Sequence, residues 1–154
     1  MIIYIDLDDV LCDYSGAFNH AIALTPAISF PQSQYGFYAN LEPIVSGIDV
    51  VNKLRQSALF EPYILTAPSI LNPLSYTEKR VWVEKHFGLE FTQRLIICDN
   101  KGLLKGDILI DDQVSGRGQE HFAGELIHYG SEQYPDWRAI EDYLVRLTTK
   151  GEVR

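Results

Sequence analysis

Asp6 and Asp8 stand two residues apart, directly after the apolar run Ile2-Ile3-Tyr4-Ile5. In extended backbone, side chains at that spacing point the same way, so two carboxylates can face one site. Two similar runs end in further reactive groups: Thr66 follows Tyr63-Ile64-Leu65, and Asp111-Asp112 follows Ile108-Leu109-Ile110. If these runs are neighbouring strands, a hydroxyl and four carboxylates meet at one end of a sheet, where open α/β sheets bind their ligands. Four acids that close repel one another unless a cation lies among them. Hard oxygen donors with room left for water and phosphate suit Mg²⁺, whereas zinc favours histidine and cysteine. Taken singly, an aspartate after a strand is as often a turn former or a helix cap, and a threonine there more often bonds to backbone. Their combination and order carry the reading.

The elements that must position these groups alternate between short β-rich runs and amphipathic stretches, the pattern of a parallel sheet covered by helices. Ile2–Ile5, Tyr63–Leu65, Leu95–Cys98, Ile108–Ile110 and Leu126–His128 are near-continuous apolar runs, as expected for strands buried on both faces. Ser75-Tyr76-Thr77-Glu78 reads as a capping box opening a helix over about Tyr76 to Phe87, with Gly88 as its left-handed stop. Ser46 to Ser57 carries Val50, Val51 and Leu54 on one face, and Trp137, Ile140, Leu144 and Leu147 mark the stripe of a final helix that frays after Thr148. The stretch from Tyr14 to Pro43 fits neither period. It is rich in aromatic residues (Phe18, Phe30, Tyr35, Phe37 and Tyr38), is interrupted by Pro26 and Pro31, and reads as an insertion beside the sheet.

A chain of 154 residues with 46% hydrophobic content predicts one domain with a single core. A net charge of -8 argues against polymeric nucleic acid, which requires a basic face to displace counterions. One bound phosphate needs only local cations. No run is long enough to span a membrane, and the first residues lack the basic start of a secretion signal. Cys12 and Cys98 are neither close in sequence nor in a metal-ligand pair, which predicts reduced core thiols in a cytoplasmic protein. His20, His86, His121 and His128 show no ligand spacing.

In the order of its motifs the chain resembles the haloacid dehalogenase superfamily of phosphatases over nearly its whole length. The first motif is Asp6-Leu7-Asp8-Asp9-Val10, the second Leu65-Thr66, the third Lys101, and the fourth Gly106-Asp107-Ile108-Leu109-Ile110-Asp111-Asp112. Within that superfamily, Glu78-Lys79-Arg80-Val81-Trp82-Val83-Glu84-Lys85-His86-Phe87-Gly88 followed by Leu109-Ile110-Asp111-Asp112 looks like the 5'(3')-deoxyribonucleotidase family. The resemblance implies a Rossmann-like three-layer α/β fold with a central parallel sheet, and a small helical cap inserted after the first strand over roughly residues 14–45.

It also implies roles. Asp6 is the nucleophile that forms an aspartyl-phosphate, and Asp8 is the acid and then the base. Mg²⁺ is held by Asp6, the backbone carbonyl of Asp8 and an acid of the Asp111-Asp112 pair, with Asp112 favoured as the direct ligand. Thr66 and Lys101 bind the phosphoryl group, and Lys79 matches a position near the substrate phosphate. The expected substrate is a small phosphate monoester, foremost a nucleoside monophosphate. Ala67 stands where the family commonly has a serine, Asp99 where it commonly has an arginine, and Asp9 where a glycine is frequent. The cap is short, with about thirty residues between the first motif and the next helix. A phosphatase of sugar phosphates or of polynucleotide ends, and a catalytically silent binding protein that kept the fold, stand as alternatives. Exposed aromatic residues leave a homodimer interface open as an alternative to a pocket.

Overall fold

A parallel sheet of five strands forms the centre of the computed structural model, which describes residues 1–151. The strands are β1 (Ile2–Ile5), β2 (Glu61–Thr66), β3 (Leu95–Ile97), β4 (Ile108–Asp111) and β5 (Glu125–His128), in the order β3-β2-β1-β4-β5. Each corresponds to an apolar run of the sequence, with ends moved by no more than two residues. The helices are α1 (Tyr14–Leu24), α2 (Val45–Gln56), α3 (Ser75–Phe87) and α4 (Trp137–Gly151). From β1 the chain builds outward to β2 and β3, then returns to lay β4 on the other side of β1. Strand order therefore reverses between β1 and β4, and a sheet of this kind opens its ligand crevice at that point.

Alternation along the strands divides the core in two. Ile3, Ile5, Ile64, Ile108, Ile110 and Ile127 share one buried cluster with the apolar faces of α2, α3 and α4. Gly47 permits a close approach of α2 to α4, since a Cβ there would lie 2.5 Å from the Trp137 indole nitrogen. That nitrogen donates to the carbonyl of Val10 at 2.8 Å, so the buried indole is satisfied. Tyr4, Leu65, Leu109 and Phe122 form a smaller cluster on the opposite face. Cover on that side includes the 3-10 turns Lys101–Leu103 and Gln119–His121, each of which also bears a buried polar residue of the site.

Three local expectations are corrected. The capping box at the start of α3 does not form: Ser75 Oγ accepts from the amide of Ser69, and Glu78 accepts from the amides of Gly36 at 2.7 Å and Tyr38 at 3.0 Å. Ser75 and Glu78 thus tie α3 to other segments instead of satisfying its own first turn. Helix α1 lies inside the stretch that shows no period, where a helical insertion is expected; none of its residues is fully buried, so no apolar stripe is required of it. Its start is held by polar caps, with Asp13 accepting from the amide of Gly16 and Asp9 from the amide of Ser15, both at 2.8 Å. Cys98 is only partly buried, unlike Cys12. Gly88 ends α3 with a φ of +90°, as expected for a glycine stop. Helix α4 runs on through Gly151, beyond the point where fraying is expected, and residues 152–154 lie outside the described portion.

Glu78 therefore carries a structural prediction. Glu78→Ala leaves two amides of the insertion without an acceptor, each worth roughly 1.5–3 kcal/mol when the acceptor is charged. We expect faster hydrogen exchange over residues 36–40 and a melting temperature lower by about 5–10 °C. Unchanged exchange there would show that Glu78 does not hold the insertion to α3.

Candidate active site

The carboxyl ends of β1, β2 and β4 open on a cavity of about 400 Å³, with Asp6, Asp8, Thr66, Lys101, Asp111 and Asp112 in its wall. Strand register explains why they meet. Ile5 pairs with Ile110 on one side and Ile64 on the other, and the amide of Asp6 continues the ladder by donating to the carbonyl of Ile110 at 2.9 Å. One step past those pairs, Asp6 comes beside Asp111. Thr66 closes β2 opposite Ile97 and is fully buried.

Two buried lysines, each reaching two site residues, organise these groups. Lys101 leaves the turn after β3 with 2% exposure and puts its Nζ 2.9 Å from Asp6 Oδ1 and 2.5 Å from Asp111 Oδ2. Burial alone would lower the pKa of that ammonium, but Asp6 and Asp111 reverse the effect and raise it, so Lys101 stays charged. Lys79, on α3, is also fully buried, which its residue type does not announce. It donates to Asp8 Oδ2 at 2.7 Å and to Thr66 Oγ1 at 2.8 Å, and its ammonium lies 4.8 Å from the ring centre of Tyr38. An ammonium has no acceptor, so Thr66 Oγ1 must accept here, which leaves its own O–H free to donate. Lys79 stands behind Asp8 and Thr66 rather than in the cavity wall.

The acids differ in environment. The side chain of Asp8 is 27% exposed, and its carboxyl is raised above the ordinary range, mainly by burial and further by Asp6 and Asp9, against the pull of Lys79. Asp111 is fully buried, with Oδ2 taking Lys101 and the Gln119 amide and Oδ1 taking the amide of Gln113. Asp112 has no cationic partner among the described residues. Burial pushes its carboxyl up to about 6, opposed by the Gln113 amide at 2.7 Å and reinforced by Asp6, Asp111 and Asp9. One oxygen each from Asp6, Asp111 and Asp112 lies within 4.8 Å of the others. This all-oxygen, acid-rich set fits a hard divalent cation, and Asp112 has the freer carboxylate of the neighbouring pair.

Comparison with known proteins bears on what this arrangement serves. Residues 28–146 match the model of the 5' nucleotidase, deoxy (pyrimidine), cytosolic type C protein family. The chain belongs to this family. It is a family of phosphoric monoester hydrolases within the haloacid dehalogenase superfamily. Among individual proteins, the chain is 33% identical over 147 residues to a Vibrio phage KVP40 protein provisionally named 5'(3')-deoxyribonucleotidase, covering 93% of this chain and 84% of the relative. It is 38% identical over 85 residues to the human cytosolic 5'(3')-deoxyribonucleotidase, covering 55% and 42%. A Bordetella bronchiseptica protein with the same provisional name is 31% identical over 139 residues, covering 73% and 74%.

Against the nucleotidase family pattern, the structure accounts for two departures and adds residues that the sequence analysis did not single out. Asp9, where the family often has glycine, adopts a φ of +57°, a conformation that glycine favours and aspartate tolerates better than most residues. Its carboxylate is used to cap α1. Asp99 pairs with Arg117, which reaches the cavity wall from the loop after β4. The cation absent from position 99 is thus present at the same mouth from another segment. Gln119 is 3% exposed and closes a ring: its Nε2 donates to Asp111, its Oε1 accepts from the amide of Arg117, and the Arg117 carbonyl accepts from the amide of Lys101 at 2.7 Å. Its burial is the only signal of this role, and sequence does not show it. Of the aromatic residues in the insertion, Tyr14 and Tyr38 line the cavity, while Phe30 and Tyr35 are exposed and lie outside it. No helix among the described residues is long and apolar enough to cross a membrane.

Proposed function

We propose that this chain is a cytoplasmic, Mg²⁺-dependent 5'(3')-deoxyribonucleotidase that hydrolyses nucleoside monophosphates through an aspartyl-phosphate on Asp6. The observation that carries this reading is the pairing of Asp6 and Asp8, both in the wall of one cavity, with two different buried lysines. Lys101 fixes the Asp6 carboxylate, and Lys79 fixes Asp8 beside Thr66. Residues 14–45 serve as the cap, contributing Tyr14, Gln32 and Tyr38 to the cavity wall.

In this mechanism Asp6 attacks phosphorus in line, a new P–O bond forms on its carboxylate, and the bond to the departing alkoxide breaks. Asp8 gives that alkoxide its proton. A carboxyl held above the ordinary range suits this task near neutral pH. The same group then takes a proton from water as the water attacks the phosphoryl group, which frees inorganic phosphate and restores Asp6. Thr66 donates its free O–H to a phosphoryl oxygen, and Lys101 opposes the charge on the transferring group. Asp6, Asp112 and the backbone carbonyl of Asp8 would hold Mg²⁺, which screens the repulsion between an anionic nucleophile and a dianionic phosphate.

The test is phosphate release from 5'- and 3'-nucleoside monophosphates, ribo and deoxy, and from sugar phosphates, with Mg²⁺ and with a chelator. Release that requires Mg²⁺ and favours deoxyribonucleotides is expected. Equal turnover of sugar phosphates would replace this reading with a general small-ester phosphatase, and no release by folded protein would leave only a binding role.

A further inference from the structure

Lys79 is fully buried, and its ammonium has three N–H groups to satisfy. Asp8 Oδ2 at 2.7 Å and Thr66 Oγ1 at 2.8 Å take two of them, and no third oxygen or nitrogen acceptor is present among the described residues. The ammonium instead sits over the Tyr38 ring, 4.8 Å from its centre. Tyr38 is 4% exposed, so the contact is desolvated, the setting in which an aromatic face holds a cation most strongly. Tyr38 opens the 3-10 turn Tyr38–Asn40 of the insertion, and its amide donates to Glu78 on α3 at 3.0 Å. Adjacent residues of α3 therefore meet the same tyrosine, Glu78 at its backbone and Lys79 at its ring.

The aim of Asp8 depends on this arrangement. Its Oδ2 takes Lys79, and among the described residues its Oδ1 meets only the Cys12 thiol, at 3.8 Å. The proton that Asp8 delivers then sits on Oδ1, and the ammonium on Oδ2 sets where Oδ1 points. From this we infer that Tyr38 is a positioning residue for proton transfer: its ring fixes the Lys79 ammonium, which fixes the Asp8 carboxyl against the departing oxygen. The insertion thus takes part in the chemical step as well as in enclosing the cavity. The inference rests on the reading of Asp8 as the acid given above. In the step it aids, the Oδ1–H bond breaks and an O–H bond forms on the alkoxide as its bond to phosphorus breaks.

The experiment compares thymidine 5'-monophosphate with its analogue in which sulfur replaces the bridging 5' oxygen. A thiolate departs without a proton, so the analogue needs no acid while keeping the same base and sugar. The quantity read is kcat/KM, which covers phosphoryl transfer to Asp6 and not the later hydrolysis. Tyr38→Leu should lose about tenfold on thymidine monophosphate, the scale of one desolvated cation–π contact, and keep wild-type activity on the sulfur analogue. Tyr38→Phe, which keeps the ring, should follow wild type on both. Fluorinated phenylalanines at position 38 keep the size of the ring and drain its negative face, so the loss on the oxygen ester should grow with each fluorine even if Tyr38→Leu does not fold. Equal losses on the two esters would mark a tyrosine that only packs or only touches the nucleoside, and would overturn the assignment, as would the absence of a fluorine trend. Asp8→Asn separates this inference from the mechanism beneath it. If Asp8→Asn is not rescued by the sulfur analogue, Asp8 is not the acid and the mechanism itself fails; rescue there without any effect at position 38 sinks the role of Tyr38 alone.

Discussion

Asp6→Asn is expected to lower phosphate release from a deoxyribonucleoside monophosphate by at least about 10⁴-fold, the scale on which covalent hydrolases lose activity with their nucleophile. The amide keeps the shape of the carboxylate but has neither its charge nor its nucleophilic oxygen. Lys101 retains Asp111 as a partner in the variant, so the fold should persist. Steady-state turnover checks the size of the loss. Mass spectrometry of acid-quenched, substrate-treated wild type should place one phosphoryl group on the peptide containing Asp6, and the variant should show none. Residual activity within tenfold of wild type, with the variant folded, would transfer the nucleophile to water or to another group.

Lys101→Met should have the second-largest effect, and on two properties together. Two carboxylates at 2.9 and 2.5 Å lose their shared cation in a site that is 2% exposed. Removing one partner of a buried ion pair costs about 3–5 kcal/mol, because the charge left behind stays desolvated. At this chain length that corresponds to a melting temperature lower by about 10 °C or more. Turnover should fall by roughly 10²- to 10³-fold through the lost stabilisation of the transferring group. The two effects separate by temperature. If activity well below the new melting point recovers to wild-type level, Lys101 is a purely structural counter-ion and its catalytic assignment fails. If the loss persists in fully folded protein, the lysine acts on the reacting phosphate or on the aim of Asp6.

How much of this was legible in the sequence depends on the range over which each signal acts. The five strands were readable because a strand buried on both faces must be apolar at successive positions, whatever lies beside it. Asp6, Asp8, Thr66, Asp111 and Asp112 were readable because each sits at the end of such a run. Lys79 and Glu78 show the limit. Both fall on the buried stripe of α3 with Trp82 and Val83, yet charged residues in that stripe look like a solvated face until their partners are known. Glu78 also matched a local capping pattern, which lost to the stronger demand of two amides delivered by a segment about forty residues earlier.

Gln32, Arg117 and Gln119 had no local signal, because a neutral amide or a surface arginine follows no period. Their meaning lies in what the fold brings against them: a cavity wall, Asp99, and the loop bearing Lys101. What the sequence by itself determined was therefore the alternation of elements, the acidic motif at the strand ends and the class of chemistry those residues support. Tertiary structure alone decided which lysine holds which aspartate, which acid is left without a cationic partner, and which residues of the insertion line the cavity. Hydrophobic periodicity is a property of one element, whereas desolvated ion pairs and hydrogen bonds exist only between segments already brought together.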